Sequence, residues 1–104
     1  CAPCKEEMPS LDLLKLNKNL KNLKIFPINV GTDNIEKASN FFNELKIQNL
    51  KLYFDSPTTL AKKLKLRGIP TSILINKDGL EFARIIGSIN FQDENFIEWL
   101  SSYN

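Results

Sequence analysis

Histidine is absent from this 104-residue chain, and cysteine occurs only at Cys1 and Cys4. A structural zinc site needs four ligands, usually Cys or His, so these two cysteines would need further ligands from a second chain. No apolar stretch approaches the ~20 residues that cross a bilayer, and no signal peptide is recognisable. The net charge of +2 comes from 14 basic and 12 acidic residues mixed along the chain. The sequence therefore predicts no metal site within one chain and no nucleic-acid partner.

The length and composition fit one folded domain. A chain of 104 residues, 42% of them hydrophobic, can bury one core and is short for two. No internal repeat and no low-complexity linker divides it. We therefore treat residues 1–104 as a single domain.

The two cysteines lie in the sequence Cys1-Ala2-Pro3-Cys4. At the start of a helix, the first thiol lies beside the unpaired N–H groups of the first turn, which favour the thiolate and lower its pKa. The second thiol, one turn further on, is placed to resolve a mixed disulfide. Proline costs little in this turn, where an N–H has no intrahelical acceptor. The pattern is typical of thiol–disulfide exchange, which requires no cofactor.

Other uses of the two cysteines remain open at this point. They could form a structural disulfide, although a bridge closing so short a loop constrains the unfolded chain very little. They could instead serve a binding module, in which two chains share a metal ion or copper passes through the pair. Cys1 could also be the lipidated first residue of a bacterial lipoprotein, which would leave Cys4 free.

Apolar spacing predicts one amphipathic helix at the start of the chain. Met8 and the leucines that follow it recur at helix-like intervals as far as Leu23. Pro9 lies inside this helix and should kink it close to the cysteines, because it removes a backbone hydrogen bond. The stretch 24–30 then reads as a strand, in which Pro27 indicates an unpaired side or a bulge.

The rest of the chain alternates helices and strands. Thr32 or Asp33 should cap a helix that ends near Lys46, with Glu36 completing a capping box. A half-buried strand over 50–54 precedes a short helix, which Ser56-Pro57 should begin and Gly68 should stop. Beyond it we expect a β-hairpin of 70–75 and 80–86 around an Asp-Gly turn, with residues 73–75 buried on both faces, and a last helix that packs Trp99 into the core.

Motifs along almost the whole chain resemble the TlpA/ResA-like branch of the thioredoxin superfamily, and within it the TlpA type. The matching stretches are Cys-Ala-Pro-Cys-Lys-Glu-Glu-Met-Pro at 1–9, Ile-Asn-Val-Gly at 28–31, Phe-Asp at 54–55, Arg-Gly-Ile-Pro-Thr-Ser at 67–72, Asn-Lys-Asp-Gly at 76–79 and the lone Gly87. The resemblance implies an α/β, thioredoxin-like fold, in which the helix and strand at 33–54 are a central αβ insertion.

Members of this branch are thiol–disulfide oxidoreductases outside the bacterial cytoplasm. The resemblance implies a protein that reduces target cysteines, either in the copper-assembly factors of cytochrome oxidase or in apocytochrome c. A membrane dithiol donor would recharge it. It would be periplasmic and anchored to the inner membrane through a segment upstream of Cys1.

The resemblance also assigns roles to individual residues. Cys1 matches the attacking thiol and Cys4 the resolving thiol. Pro70 matches a cis-proline that faces the redox pair, and Ile69-Pro70-Thr71 would bind an extended substrate segment. An ordinary trans proline in a loop is the alternative.

Glu7 matches a glutamate that the branch places near the cysteines. A carboxylate there could exchange protons with Cys4 and shift the pKa values of the thiols. The alternative is a solvent-exposed helix glutamate paired with a lysine.

The start of the chain departs from the family pattern. Family members carry a strand that ends in a tryptophan immediately before the active-site helix, and this chain has neither. That strand normally lies between the strands expected at 25–30 and 71–76. Without it the sheet would have a central gap with unpaired backbone groups. We therefore expect the native gene product to extend upstream, and the 104 residues alone to fold poorly, swap strands or rearrange.

Overall fold

The computed structural model describes residues 1–31, 35–55 and 58–104. Its elements in chain order are α1 (Ala2–Leu14), a 3₁₀ turn (Lys18–Leu20), β1 (Ile28–Asn29), α2 (Ile35–Glu44), β2 (Tyr53–Phe54), α3 (Thr59–Lys63), β3 (Thr71–Ile75), β4 (Glu81–Ile86) and α4 (Glu94–Ser101). The predicted order of helix, strand, helix, strand, helix, hairpin and helix is confirmed.

The first helix is shorter than the leucine spacing predicted. Helix α1 ends at Leu14, and the chain extends at Asn17, whose side chain accepts a hydrogen bond from the Asn19 N–H and opens the 3₁₀ turn. The prediction of one helix through Leu23 is therefore wrong, because an asparagine that bonds its own backbone competes with helix continuation. Leu20 is still buried, at 3% exposure, but from the separate turn.

Pro9 lies inside α1, as predicted, and its ring is exposed. The kink that it should impose stays a prediction. Asp12, on the same helix, is 6% exposed, and its carboxylate accepts hydrogen bonds from the backbone N–H groups of Gln48 and Asn49 at 3.1 and 2.8 Å. These bonds attach the segment between α2 and β2 to the helix that carries the cysteines.

The strands form two separate two-stranded sheets. β1 pairs in parallel with β2, and β3 pairs antiparallel with β4. No ladder joins the two sheets within the described ranges, which agrees with the gap expected between them. The predicted strands over 24–30 and 50–54 shorten to two residues each. Pro27 lies just outside the first, where its carbonyl accepts a hydrogen bond from the Tyr53 N–H at 2.9 Å.

The predicted hairpin is confirmed. Asn76 begins its turn by accepting the Gly79 N–H on its carbonyl, and Gly79 has a φ of +83°, which favours glycine. The prediction that residues 73–75 are buried on both faces is wrong, since Ile75 is 61% exposed and the others are half-buried. β3 has only β4 as a hydrogen-bonding neighbour among the described strands, so less of its surface is covered.

Helix α2 lies where it was predicted, although Ile35 at its start is 70% exposed. The expected caps Thr32 and Asp33 lie outside the described residues, as do Ser56 and Pro57 before α3.

The Asp55 carboxylate caps α3, because it accepts the N–H groups of Leu60 and Ala61, each at 2.8 Å. The prediction that Gly68 stops α3 is wrong. The helix ends earlier, where Lys65 adopts a left-handed conformation with a φ of +53°.

The core lies between α1, the 3₁₀ turn and α4. Its buried residues are Leu14, Leu20, Phe91 and Leu100. Asp93 caps α4 by accepting the Phe96 N–H, which confirms the predicted start of this helix. Trp99 is 40% exposed and lies in a cluster of rings with Phe82, Phe96 and Tyr103, so it is not the core residue that was predicted.

Candidate functional site

Cys1 and Cys4 form a disulfide at the start of α1. Cys1 is the N-cap of the helix, and its Sγ accepts a hydrogen bond from the Cys4 N–H at 3.3 Å. Cys1 is exposed, whereas Cys4 is half-buried. An attacking partner in solution can therefore reach the first sulfur more easily than the second.

The helix terminus favours a thiolate at Cys1 once the bridge is reduced. The unpaired N–H groups and the positive end of the helix dipole stabilise an anion, and one of these N–H groups already bonds the Cys1 sulfur. No acidic residue lies in the first turn to oppose this effect. A stabilised thiolate is both the better nucleophile at neutral pH and the better leaving group.

Glu7 lies one turn after Cys4 and is 6% exposed. Its Oε2 accepts a hydrogen bond from the Ile89 N–H at 3.3 Å. Burial raises the pKa of the Glu7 carboxyl, and the Ile89 hydrogen bond offsets part of this rise. The alternative of an exposed glutamate paired with a lysine is wrong, because the carboxylate faces the segment 87–92.

Segment 87–92 joins the cysteine helix to the proline turn. The Gly87 N–H donates to the carbonyl of Pro70 at 2.9 Å, and Gly87 has a φ of +96°. Further along, the Phe91 N–H donates to Ser10 Oγ at 2.9 Å, and the Gln92 side-chain amide donates to the Ser10 carbonyl at 2.9 Å. A short run of chain therefore contacts both α1 and Pro70.

Sequence reasoning missed the roles of Ser10 and Gln92. Ser10 Oγ also donates to the Glu7 carbonyl at 2.7 Å, so its hydroxyl is bonded on both sides. Neither residue belongs to a recognisable motif. A serine next to the helix proline was the only local signal, because proline and serine both alter the hydrogen bonding inside a helix.

The Ile69-Pro70 peptide bond is cis, as predicted, so the trans alternative is wrong. Ile69 is 52% exposed, and Thr71 Oγ1 donates to the Gly68 carbonyl at 2.7 Å. No described residue bonds the backbone N–H or C=O of Ile69. Both groups are open to an added extended segment, as in β-strand addition. That Pro70 faces the two sulfurs stays a prediction.

Among the described residues, no group of three or more His, Cys, Asp or Glu side chains is arranged to hold a metal ion. Within the same residues, no helix has the length and apolar character needed to cross a membrane.

The chain is similar to known proteins in both sequence and structure. A family model described as thioredoxin-like matches residues 1–81. The curated thiol-disulfide oxidoreductase ResA of Bacillus cereus is 29% identical over 87 residues, which cover 84% of this chain and 49% of ResA. A crystal structure of StoA from Bacillus subtilis superposes with a TM-score of 0.77 at 26% identity, covering 99% of this chain and 73% of StoA. The chain thus spans about half the length of the curated relative that it matches.

Proposed function

Because this chain belongs to the thioredoxin-like family and has its α/β fold, we propose that it is a thiol–disulfide oxidoreductase acting through Cys1 and Cys4. The observation that carries the proposal is the disulfide at the start of α1, with one exposed and one half-buried sulfur. The name of the relative, a thiol-disulfide oxidoreductase, supports the same activity. No cofactor is required, since the redox equivalents are the two thiols.

In the proposed reduction, the Cys1 thiolate attacks one sulfur of a substrate disulfide. The substrate S–S bond breaks, a mixed disulfide forms on Cys1, and the second substrate sulfur leaves as a thiolate that takes up a proton. The Cys4 thiolate then attacks Cys1 Sγ, which forms the Cys1–Cys4 disulfide and releases the first substrate sulfur as a thiolate. Two electrons pass from the protein to the substrate, whose disulfide becomes two thiols.

In this proposal Glu7 exchanges a proton with Cys4. Cys4 must lose a proton before it attacks, and a carboxylate one helical turn away can accept it. Burial raises the pKa of Glu7, which brings the carboxyl closer to the pH range in which thiols ionise. Glu7 thus acts as the general base for the resolving step and as the acid in the reverse step.

Ile69, Pro70 and Thr71 hold the substrate in this proposal. An extended substrate segment pairs with the open backbone groups of Ile69. The cis-proline contributes no N–H, so nothing there competes for the Cys1 thiolate. Segment 87–92 fixes this turn relative to α1 through Pro70 and Glu7.

The physiological partners follow from the family resemblance alone. We assign the protein to the reduction of protein cysteines, in copper-assembly factors of cytochrome oxidase or in apocytochrome c. A membrane dithiol donor returns Cys1 and Cys4 to the thiol state. Its place is the periplasm, with an inner-membrane anchor upstream of Cys1.

A trapping experiment tests the activity. Reduced Cys4→Ser protein, mixed with a synthetic peptide whose single cysteine is a mixed disulfide with a small thiol of low pKa, should accumulate the peptide on Cys1 as the small thiol leaves, because neither chain then has a second thiol to resolve the adduct. Intact-mass spectrometry should show the mass of protein plus peptide, and dithiothreitol should remove the peptide.

Cys1→Ser is the matched control and should form much less adduct, since its remaining sulfur is half-buried. Absence of any adduct on Cys4→Ser, or equal adduct on both variants, would contradict the mechanism. Stoichiometric zinc or copper in freshly purified protein, at one ion per two chains, would favour the metal-binding module instead.

A further inference from the structure

A basic pocket lies beside the proline turn. It has a volume of about 310 Å³ and is lined by Lys65, Arg67, Thr71, Arg84 and Ile86. Three of these five side chains are cationic, and none is acidic. Thr71 belongs both to this basic pocket and to the segment proposed to hold the substrate, so the pocket and the substrate path adjoin.

The three cations of the basic pocket differ in their partners. Arg84 donates from Nε and Nη2 to the Glu81 carboxylate, each at 2.8 Å, and from Nη1 to the Leu64 carbonyl at 2.6 Å. This pairing lowers the pKa of Glu81 and raises that of Arg84. The charge of Arg84 is therefore largely balanced.

Lys65 and Arg67 supply the unbalanced charge. Both side chains are exposed, and neither makes an ion pair or hydrogen bond with any part of the chain that the structure describes. The Lys65 backbone is held at the end of α3, where its N–H donates to the Lys62 carbonyl at 3.1 Å and its φ is +53°. Both cations line the basic pocket.

The length of an extended substrate segment determines which of its side chains can contact Lys65 and Arg67. Lys65 and Arg67 precede Pro70 by five and three residues, so their Cα atoms lie at most about 18 Å and 11 Å from it along the chain. An extended peptide rises about 3.3 Å per residue. With the substrate cysteine held next to Pro70, as in the proposed function, a side chain within about five residues of that cysteine can therefore reach the basic pocket.

We propose that the basic pocket selects protein substrates with acidic side chains within a few residues of the reactive cysteine. The inference rests on the proposed function, and it adds the substrate class. An Asp or Glu carboxylate would pair with Lys65 or Arg67 while the cysteine lies at Cys1. Opposite charge raises the rate of encounter and fixes the direction of the bound segment, and it disfavours substrates with basic flanks.

Exchange kinetics with synthetic peptides test this selection. Three peptides carry one cysteine as a mixed disulfide with the same small thiol, flanked by two aspartates, two asparagines or two lysines. Reduced protein should react with the aspartate peptide roughly threefold to tenfold faster than with the asparagine peptide at 0.01 M salt, and slowest with the lysine peptide. In 1 M salt, where screening acts within about 3 Å, the three rates should converge.

The double variant Lys65→Ala/Arg67→Ala should lose most of the aspartate-to-asparagine rate ratio. Lys62→Ala/Lys63→Ala is the matched control, since it removes the same charge from exposed positions of α3 outside the pocket, and it should keep the ratio. Equal rates for all three peptides with the unmodified protein would overturn the inference, as would equal losses in both double variants, while leaving the proposed function intact. Failure of every peptide to react would overturn both.

Discussion

The Asp12 carboxylate offers the sharpest test of how the segment between α2 and β2 is attached to the cysteine helix. It is 6% exposed and accepts the backbone N–H groups of Gln48 and Asn49. Asp12→Ala leaves both donors without their acceptor. A buried donor that loses its partner costs about 1–3 kcal/mol, and Gln48 is exposed enough for water to replace part of its bond. We therefore expect a loss of about 2–3 kcal/mol in the free energy of unfolding.

Urea denaturation of the disulfide-intact protein, followed by circular dichroism, measures this loss as a fall in the midpoint at constant slope. Asp12→Asn keeps one acceptor oxygen and should lose about half as much. Asp78→Ala, at an exposed turn position, should change stability by no more than about 0.5 kcal/mol. Hydrogen exchange at the Gln48 and Asn49 amides should accelerate in Asp12→Ala and stay unchanged in Asp78→Ala. An Asp12→Ala protein as stable as Asp78→Ala would refute the reasoning.

Two further predictions concern the redox site. The pKa of the folded Glu7 carboxyl is raised above the ordinary 4.5, so the folded state binds the proton more tightly than the unfolded state, and stability falls as pH rises through this region. Glu7→Gln should therefore unfold at a higher urea concentration than the unmodified protein near pH 8, and this gain in stability should disappear below about pH 4. The same variant should change the pH profile of thiol alkylation. Unaltered alkylation profiles would show that Glu7 has no role in the mechanism. The Cys1–Cys4 couple, equilibrated with glutathione, should have a potential at or below about −220 mV if the protein reduces its targets, whereas a value near −120 mV would reverse the assigned direction.

Local turn chemistry made some parts of the fold predictable. The Asn-Lys-Asp-Gly sequence at 76–79 predicted the hairpin, because Gly79 can adopt the positive φ that the turn requires. Asp93 similarly marked the start of α4. In both cases the decisive interaction lies within a few residues of the signal.

Features that depend on distant contacts were not predictable. Asp12 looks like an ordinary surface carboxylate in the sequence, yet it accepts the backbone N–H groups of Gln48 and Asn49, far along the chain. The helix-like spacing of leucines extends beyond the end of α1 at Leu14, because the separate 3₁₀ turn also buries Leu20 in the core. A pattern of apolar residues records which side chains are buried, but not whether one helix carries them all.

The sequence predicted some residues of the candidate site and not others. The cysteine pair was identified from its spacing, and the cis-proline from the family resemblance. The burial of Glu7 could not be foreseen, since it depends on Ile89, which lies 82 residues away.

Segment 87–92 should be sensitive to mutation although it lies far from the cysteines along the chain. It contains no cysteine and no regular secondary structure, yet it bonds Pro70 on one side and Glu7 and Ser10 on the other. An insertion or deletion of one residue there would shift one half of the site relative to the other. A saturation screen for redox activity should accordingly find a second cluster of sensitive positions in this segment, far from the cysteines along the chain.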